Sequence, residues 1–201
     1  MTGQGNDDCC PAIATAAILP AGFETGAYPS HSFHPLPAVA KLLFLDIDGV
    51  LLPTTYARYL EQVERLSGGK AVGCDAFMEH FAPYCVANVQ TLVRETGVGI
   101  VFTSARKADR PEGAAWLQAM WGTRYGGPAV LGATPTLDNR RHRRGDEVRL
   151  WLAAHPCEKY VILDDMEPVH FHAEQLPHLV QCDEKWGFTT LELALARAAL
   201  G

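Results

Sequence analysis

The stretch Lys41-Leu-Leu-Phe-Leu-Asp-Ile-Asp-Gly-Val50 decides how the rest of the chain is read. Lys41 to Leu45 is a short apolar run that ends abruptly in acids, the pattern of a strand covered on both faces in a parallel sheet. Extended backbone alternates its side chains, so Asp46 and Asp48 are expected to leave on one side while Ile47 points into the core. Two carboxylates that close raise each other's pKa unless a cation lies between them. Magnesium suits such a place, because it takes a few carboxylates and fills its remaining positions with water or phosphate oxygens. Gly49 allows the abrupt turn that follows.

The wider composition is that of an ordinary globular protein. The chain has 201 residues, 48% hydrophobic and 20% charged, enough to bury one sizeable core. Its formal net charge of −6 argues against nucleic-acid binding driven by bulk charge, although Arg140-Arg-His-Arg-Arg144 forms a local basic patch. The six cysteines are scattered and include no C-x-x-C pair, so neither a zinc ribbon nor a disulfide scaffold is expected. Reduced thiols and a cytoplasmic location are the simple reading. No run approaches the roughly 18 apolar residues of a membrane span. Asp7 and Asp8, with only a short apolar run from Ala12 to Leu19, do not suit a secretory signal. Residues 1–38 mix Gly, Pro, Ala, Ser and His without periodicity and read as an extension, poorly ordered or packed on the surface. Residues 39–201 read as the domain.

Beyond β-like Lys41–Leu45, helical spacing marks Thr54–Ser67, Pro83–Thr96 with Gly97 as its stop, Pro111–Trp121, Gly145–His155 and Thr190–Leu200. Apolar runs at Val98–Phe102, Ala129–Leu131, Tyr160–Leu163 and His178–Gln181 read as further strands. Alternating strands and helices imply βαβ units, hence an α/β fold with a parallel sheet covered by helices on both faces. In such sheets the chemistry sits at the carboxyl ends of the strands.

Those ends carry a consistent set of side chains. Val98–Phe102 runs into Thr103-Ser-Ala-Arg106, where a hydroxyl of Thr103 or Ser104 and a guanidinium could hold a phosphate. Tyr160–Leu163 runs into Asp164-Asp165. Together with Asp46 and Asp48 this gives four acids on two strands, whose mutual repulsion a divalent cation would offset. Arg143-Arg-Gly-Asp-Glu147 opens the helix leading to Asp164, and Arg144, directly before the glycine, is the cation best placed to balance the acids. The histidines 170, 172 and 178 lack thiol or acid partners at set spacing and are not read as a zinc site. Trp116, Trp121, Trp151 and Trp186 are read as core or rim packing, and Cys85 as buried.

At these residues the chain resembles a known family. Leu43-Phe-Leu-Asp-Ile-Asp-Gly-Val50 is similar to the first motif of the haloacid dehalogenase-like (HAD) superfamily, Thr103 or Ser104 to its second, Arg144 to its third and Asp164-Asp165 to its fourth. More narrowly, Thr103-Ser-Ala-Arg106, Arg144-Gly-Asp-Glu-Val-Arg-Leu-Trp-Leu152, Val161-Ile-Leu-Asp-Asp165 and Val180-Gln-Cys-Asp183 resemble the small HAD domain of Swiss Army Knife RNA repair proteins. That subfamily often has Trp before the arginine, where this chain has Ala105, a difference on the wall of the substrate site.

The resemblance implies a Rossmann-like, HAD-type fold and a magnesium-dependent phosphohydrolase. It implies Asp46 as the nucleophile that forms an aspartyl-phosphate, and Asp48 as the acid and base. Thr103 and Arg144 would hold the phosphoryl oxygens, with Gly49, Ser104 and Arg106 lining the substrate site. Metal ligands would come from Asp46, Asp48, Asp164 and Asp165, the direct ligand of the last pair being left open. Only about 30 to 45 residues separate Asp48 from the helix entering the second strand, so the cap is minimal. Such an open site would accept a nucleotide, a nucleic-acid end or a small phosphorylated molecule, with no membrane involved. The competing class is an idle HAD-like domain that binds a regulatory partner, and a phosphatase of a small metabolite or phosphoprotein is a further alternative.

Overall fold

The computed structural model describes residues 41–68, 80–108, 113–126 and 130–201. The expected extension over 1–38, Pro111 at the expected start of one helix, and Ala129 at the start of one strand lie outside the described residues. Among the described residues five strands form one sheet: β1 (Lys41–Leu45), β2 (Gly99–Phe102), β3 (Val130–Ala133), β4 (Lys159–Asp164) and β5 (Leu179–Gln181). Every pairing is parallel and the order is β3-β2-β1-β4-β5. This is a Rossmann-like α/β sheet, with β1 at its centre and the order reversing beside it.

The helices are α1 (Thr54–Leu66), α2 (Pro83–Thr96), α3 (Ala114–Tyr125), α4 (Arg144–Ala154) and α5 (Thr190–Leu200). Local chemistry fixes several of their ends. Pro83 supplies a preset φ at the start of α2, and Gly97 ends it in the left-handed conformation, φ 69°, donating to the Val93 carbonyl. The Thr189 hydroxyl accepts from the Leu191 amide while Glu192 Oε2 accepts from the Thr189 amide at 2.9 Å, capping α5. Asp146 likewise accepts from the Arg143 amide at 2.9 Å, opening α4.

Alternation along β1 divides the core in two. Leu43 and Leu45 face a cluster with Val89 and Leu92 of α2, Leu117 and Trp121 of α3, and Leu193 and Leu200 of α5. Leu42 and Phe44 face a second cluster with Val148 of α4 and Phe171. Burying each such side chain contributes roughly 1.5–3 kcal/mol, so the strand is held from both faces and cannot slip by one residue without inverting both sets. Cys85 is buried in the first cluster, as expected.

Two local readings differ. On α1 only Leu60 is buried; Tyr59 is 57% and Leu66 76% exposed despite their helical spacing. Short 3-10 turns stand at Ala105–Ala108, Pro168–His170 and Ala173–His178, the last taking in His178, which was read as the first residue of a strand. Among the described residues no helix is long and apolar enough to cross a membrane.

Candidate active site

The register of the three central strands sets the site. Leu45 lies opposite both Phe102 and Leu163, and the ladder continues one residue further. The Asp46 amide donates to the Leu163 carbonyl at 3.0 Å, and the Thr103 amide to the Leu45 carbonyl at 2.9 Å. Asp46, Thr103 and Asp164 therefore stand side by side at the carboxyl edge of the sheet, all buried.

Three acids converge there. One carboxylate oxygen from each of Asp46, Asp164 and Asp165 lies within 4.8 Å of the others. Burial pushes the Asp46 carboxyl up; Arg144 and the Ile47 amide draw it down, Asp48 adds a smaller upward push, and the Ser104 hydroxyl lowers it. Asp164 is pushed up to about 7, first by burial and then by the charge of Asp46. Asp165 is pushed up to about 6 by the same two causes. Carboxyls that resist ionising together are what a divalent cation relieves, so this set fits magnesium by donor chemistry and by spacing.

Asp48 is placed differently from the expectation. Beyond Asp46 the chain turns, with the Leu51 and Leu52 amides both donating to the Ile47 carbonyl at 2.8 Å, so strand alternation stops before Asp48. Its carboxylate, 58% exposed, receives Arg106 through Nε at 2.9 Å and Nη2 at 2.5 Å. The expected cluster of four acids thus has three carboxylates, and the fourth sits at the rim in a bidentate ion pair. Arg106, expected to bind substrate, is buried and engaged with Asp48.

Gly49, φ 70°, lies against Asp165. A Cβ there would come within 2.2 Å of Asp165 Oδ2, so glycine is required for the turn and for the acid's placement. Ser104 is buried, and its Oγ accepts from the Arg106 amide at 3.3 Å.

Arg144 reaches into the acids from the first residue of α4. Its Nε is 3.3 Å from Asp164 Oδ2, and its Nη2 is 3.8 Å from Asp46 Oδ2. Its Nη1 donates to the Thr103 carbonyl and approaches Glu147 Oε2 at 3.3 Å. Burial opposes its charge, but Asp46, Asp164 and Glu147 outweigh that and raise its pKa. Among the described residues five buried side-chain polar atoms lack a hydrogen-bond partner. Three of them, Thr103 Oγ1, Arg144 Nε and Asp164 Oδ2, belong to this site. Two of these, Arg144 Nε and Asp164 Oδ2, face each other as an ion pair at 3.3 Å without making a hydrogen bond, and the Thr103 hydroxyl has no partner. Buried polar atoms are paired in almost all cases, so the site has room for polar atoms from outside the chain.

Two contributors were not singled out from the sequence. Lys107, buried, donates to Glu147 Oε2 at 2.9 Å and to the Thr103 and Ser104 carbonyls at 3.0 and 3.3 Å. Thr134, at the end of β3, donates to the same Glu147 oxygen at 3.1 Å. Glu147 stands one turn after Arg144 on α4, and that i, i+3 spacing was the available signal; nothing in the sequence marked Lys107. Arg140, Arg141 and Arg143 are exposed beside the start of α4. The histidines lie apart from the acids in their contacts: His172 Nε2 meets Asp146 Oδ1 at 2.8 Å, and His178 stacks on Tyr160. Trp121 is buried, Trp116 and Trp151 pack half-buried against the two core clusters, and Trp186 is exposed.

The family described as "HAD domain in Swiss Army Knife RNA repair proteins" matches residues 42–193. No curated protein and no solved structure matches the chain significantly.

Proposed function

The chain belongs to the family of HAD domains found in Swiss Army Knife RNA repair proteins, and on that premise we propose that it is a magnesium-dependent phosphohydrolase working through an aspartyl-phosphate. The observation that carries this reading is the meeting of three acids with the Arg144 guanidinium and the unpartnered Thr103 hydroxyl at one sheet edge. An acid cluster alone suits a metal; donors beside it suit the oxygens of a phosphoryl group.

In this reading an oxygen of Asp46 attacks phosphorus, the bond to the leaving oxygen breaks, and the leaving oxygen takes a proton from Asp48. Asp48 then removes a proton from the water that attacks the aspartyl-phosphate, which releases inorganic phosphate and restores Asp46. Asp48 stands at the exposed rim, open to solvent, and to serve either step it must loosen its bidentate pair with Arg106. Arg144 draws the Asp46 carboxyl down against the larger upward push of burial, and its Nε with the Thr103 hydroxyl offers donors to the phosphoryl oxygens. Asp46, Asp164 and Asp165 would hold magnesium, with the Asp48 backbone carbonyl as a further ligand. Bound there, the ion would neutralise charge on the substrate phosphate.

The substrate class that fits best is a nucleotide or a nucleic-acid end. The family's description names RNA repair, and Arg140, Arg141 and Arg143 are exposed next to the helix that delivers Arg144. The deciding experiment measures hydrolysis of an aryl phosphate with magnesium by the full chain and by Asp46→Asn. The variant is expected to fold and to lose turnover, since an amide does not attack phosphorus. Wild-type rates from Asp46→Asn would remove Asp46 from the role of nucleophile.

A further inference from the structure

Arg144 has a task that its position does not explain by itself. To serve Asp46 and a phosphoryl group it must keep a net positive charge, yet it stands beside three carboxylates: Asp46, Asp164 and Glu147. A free guanidinium in that setting would swing into a full bidentate pair with one of the aspartates. It has not done so. Its Nε stays in a single-point ion pair with Asp164 Oδ2 at 3.3 Å, and neither atom makes a hydrogen bond.

The surroundings of Glu147 account for this. The carboxylate is buried, and donors surround it. Oε1 accepts from the Leu137 amide at 3.2 Å. Oε2 accepts from Lys107 Nζ at 2.9 Å, Thr134 Oγ1 at 3.1 Å and Arg144 Nη1 at 3.3 Å. These donors come from β3 and its following loop, from the turn after β2, and from α4 itself, so the carboxylate has little freedom. With the Thr103 carbonyl it grips one end of the planar guanidinium, which fixes where the other end points. Lys107 supplies a buried positive charge against Glu147, so that Glu147 anchors Arg144 without cancelling it.

We infer that Glu147 is a positioning residue for the Arg144 guanidinium, and that Lys107 is its counter-charge. The pair holds Arg144 aimed at Asp46 and Asp164 while leaving its charge available to a phosphoryl group. This deepens the phosphohydrolase reading and rests on it for its effect on turnover, but the arrangement also governs phosphate binding, which needs no turnover.

The test compares the full-length wild type, Glu147→Gln, Arg144→Ala, the double variant of those two, and Lys107→Met/Glu147→Gln. Readouts are melting temperature, kcat and KM for an aryl phosphate with magnesium, and affinity for inorganic phosphate with magnesium. Glu147→Gln is expected to lower kcat by roughly 10- to 100-fold, as misaiming a catalytic donor does, and to weaken phosphate binding about 10-fold. In the Arg144→Ala background the same change should cost nothing further in either. Lys107→Met/Glu147→Gln should melt above Glu147→Gln, because it removes the stranded buried ammonium, yet remain equally slow. A merely structural Glu147 would give the opposite pattern: additive losses with Arg144→Ala, and activity recovering with melting temperature. Either result overturns the inference. If the wild type hydrolyses nothing but binds phosphate, the phosphohydrolase reading fails and the phosphate series alone decides the role of Glu147. If it does neither, both fall.

Discussion

Replacing Gly49 by alanine separates two effects that one glycine combines. Its φ of 70° places an L-residue in the left-handed region, at a cost of about 1–2 kcal/mol. The added Cβ would also stand 2.2 Å from Asp165 Oδ2 and 2.4 Å from its Cγ. Ordinary carbon contacts begin near ~3.5 Å, so the Asp165 side chain must retreat by roughly 1 Å or more. Gly97 is the natural control. Its φ is 69°, and nothing lies within 4 Å of the Cβ it would gain, so Gly97→Ala carries the backbone cost without moving an acid. In a chain of this size each kcal/mol lowers the melting temperature by about 2–4 °C. Both variants are therefore expected to lose several degrees in chelator. Only Gly49→Ala should also lose the rise in melting temperature that magnesium gives the wild type, together with aryl phosphatase turnover by roughly 100-fold, the scale of a 1 Å misplacement. Scanning fluorimetry across a magnesium titration, with a parallel rate assay, decides it. A full magnesium response in Gly49→Ala, or an equal loss in Gly97→Ala, would refute the link between this glycine and the placement of Asp165.

Two further outcomes are expected. Asp164 and Asp165 have folded pKa values of about 7 and about 6, raised first by burial, so the folded state binds their protons more tightly than the unfolded chain does. The stability tied to those protons is full below the ordinary carboxyl range near ~4 and is lost as pH rises through ~6 to ~7. In chelator the melting temperature should fall across that window, and magnesium should restore more at its upper end; a flat profile would count against the acid cluster. Changing Arg140, Arg141 and Arg143 together to Ser should lower kcat/KM for an end-phosphorylated oligonucleotide by about 10-fold or more, with a weaker salt dependence, and leave an aryl phosphate unaffected. Equal losses on both substrates would give the loop a structural role instead.

How far the sequence could be read depended on the range of the interaction that fixes each feature. The bounds of α2 and α5 were legible because their signals are local: Pro83 and Gly97 for one, the Thr189–Glu192 cap for the other. The strands were legible as apolar runs, and Asp46, Thr103 and Asp164 as a set, because each of the runs of β1, β2 and β4 gives way to polar side chains at its carboxyl end. On α1 the spacing gave a true helix, yet Leu60 is buried while Tyr59 and Leu66 are exposed, since periodicity records phase and not what covers it. That the Asp48 carboxylate stands outside the three-acid cluster was not legible, because alternation was extended across a turn closed by hydrogen bonds to the Ile47 carbonyl. Lys107 was invisible, as its partner Glu147 is 40 positions away and only the folded sheet brings the two together.

The hydrogen bonds that carry the ladder one step beyond Leu45 have a consequence for how this site can move. Asp46 and Thr103 donate their own amides to neighbouring strands, so the floor of the site is fastened by the same bonds that close the centre of the sheet. Segments held this way open at free energies approaching that of the whole domain. The floor is therefore expected to breathe less than its margins, and a guest of unfamiliar shape meets a stiffer base there. Accommodation must come from the parts outside the ladder: the turn carrying Asp48, the Arg106 that holds it, and the loop before Arg144. In the proposed reading the fold divides the labour, giving the reacting atoms a fixed frame and leaving selectivity to its margins.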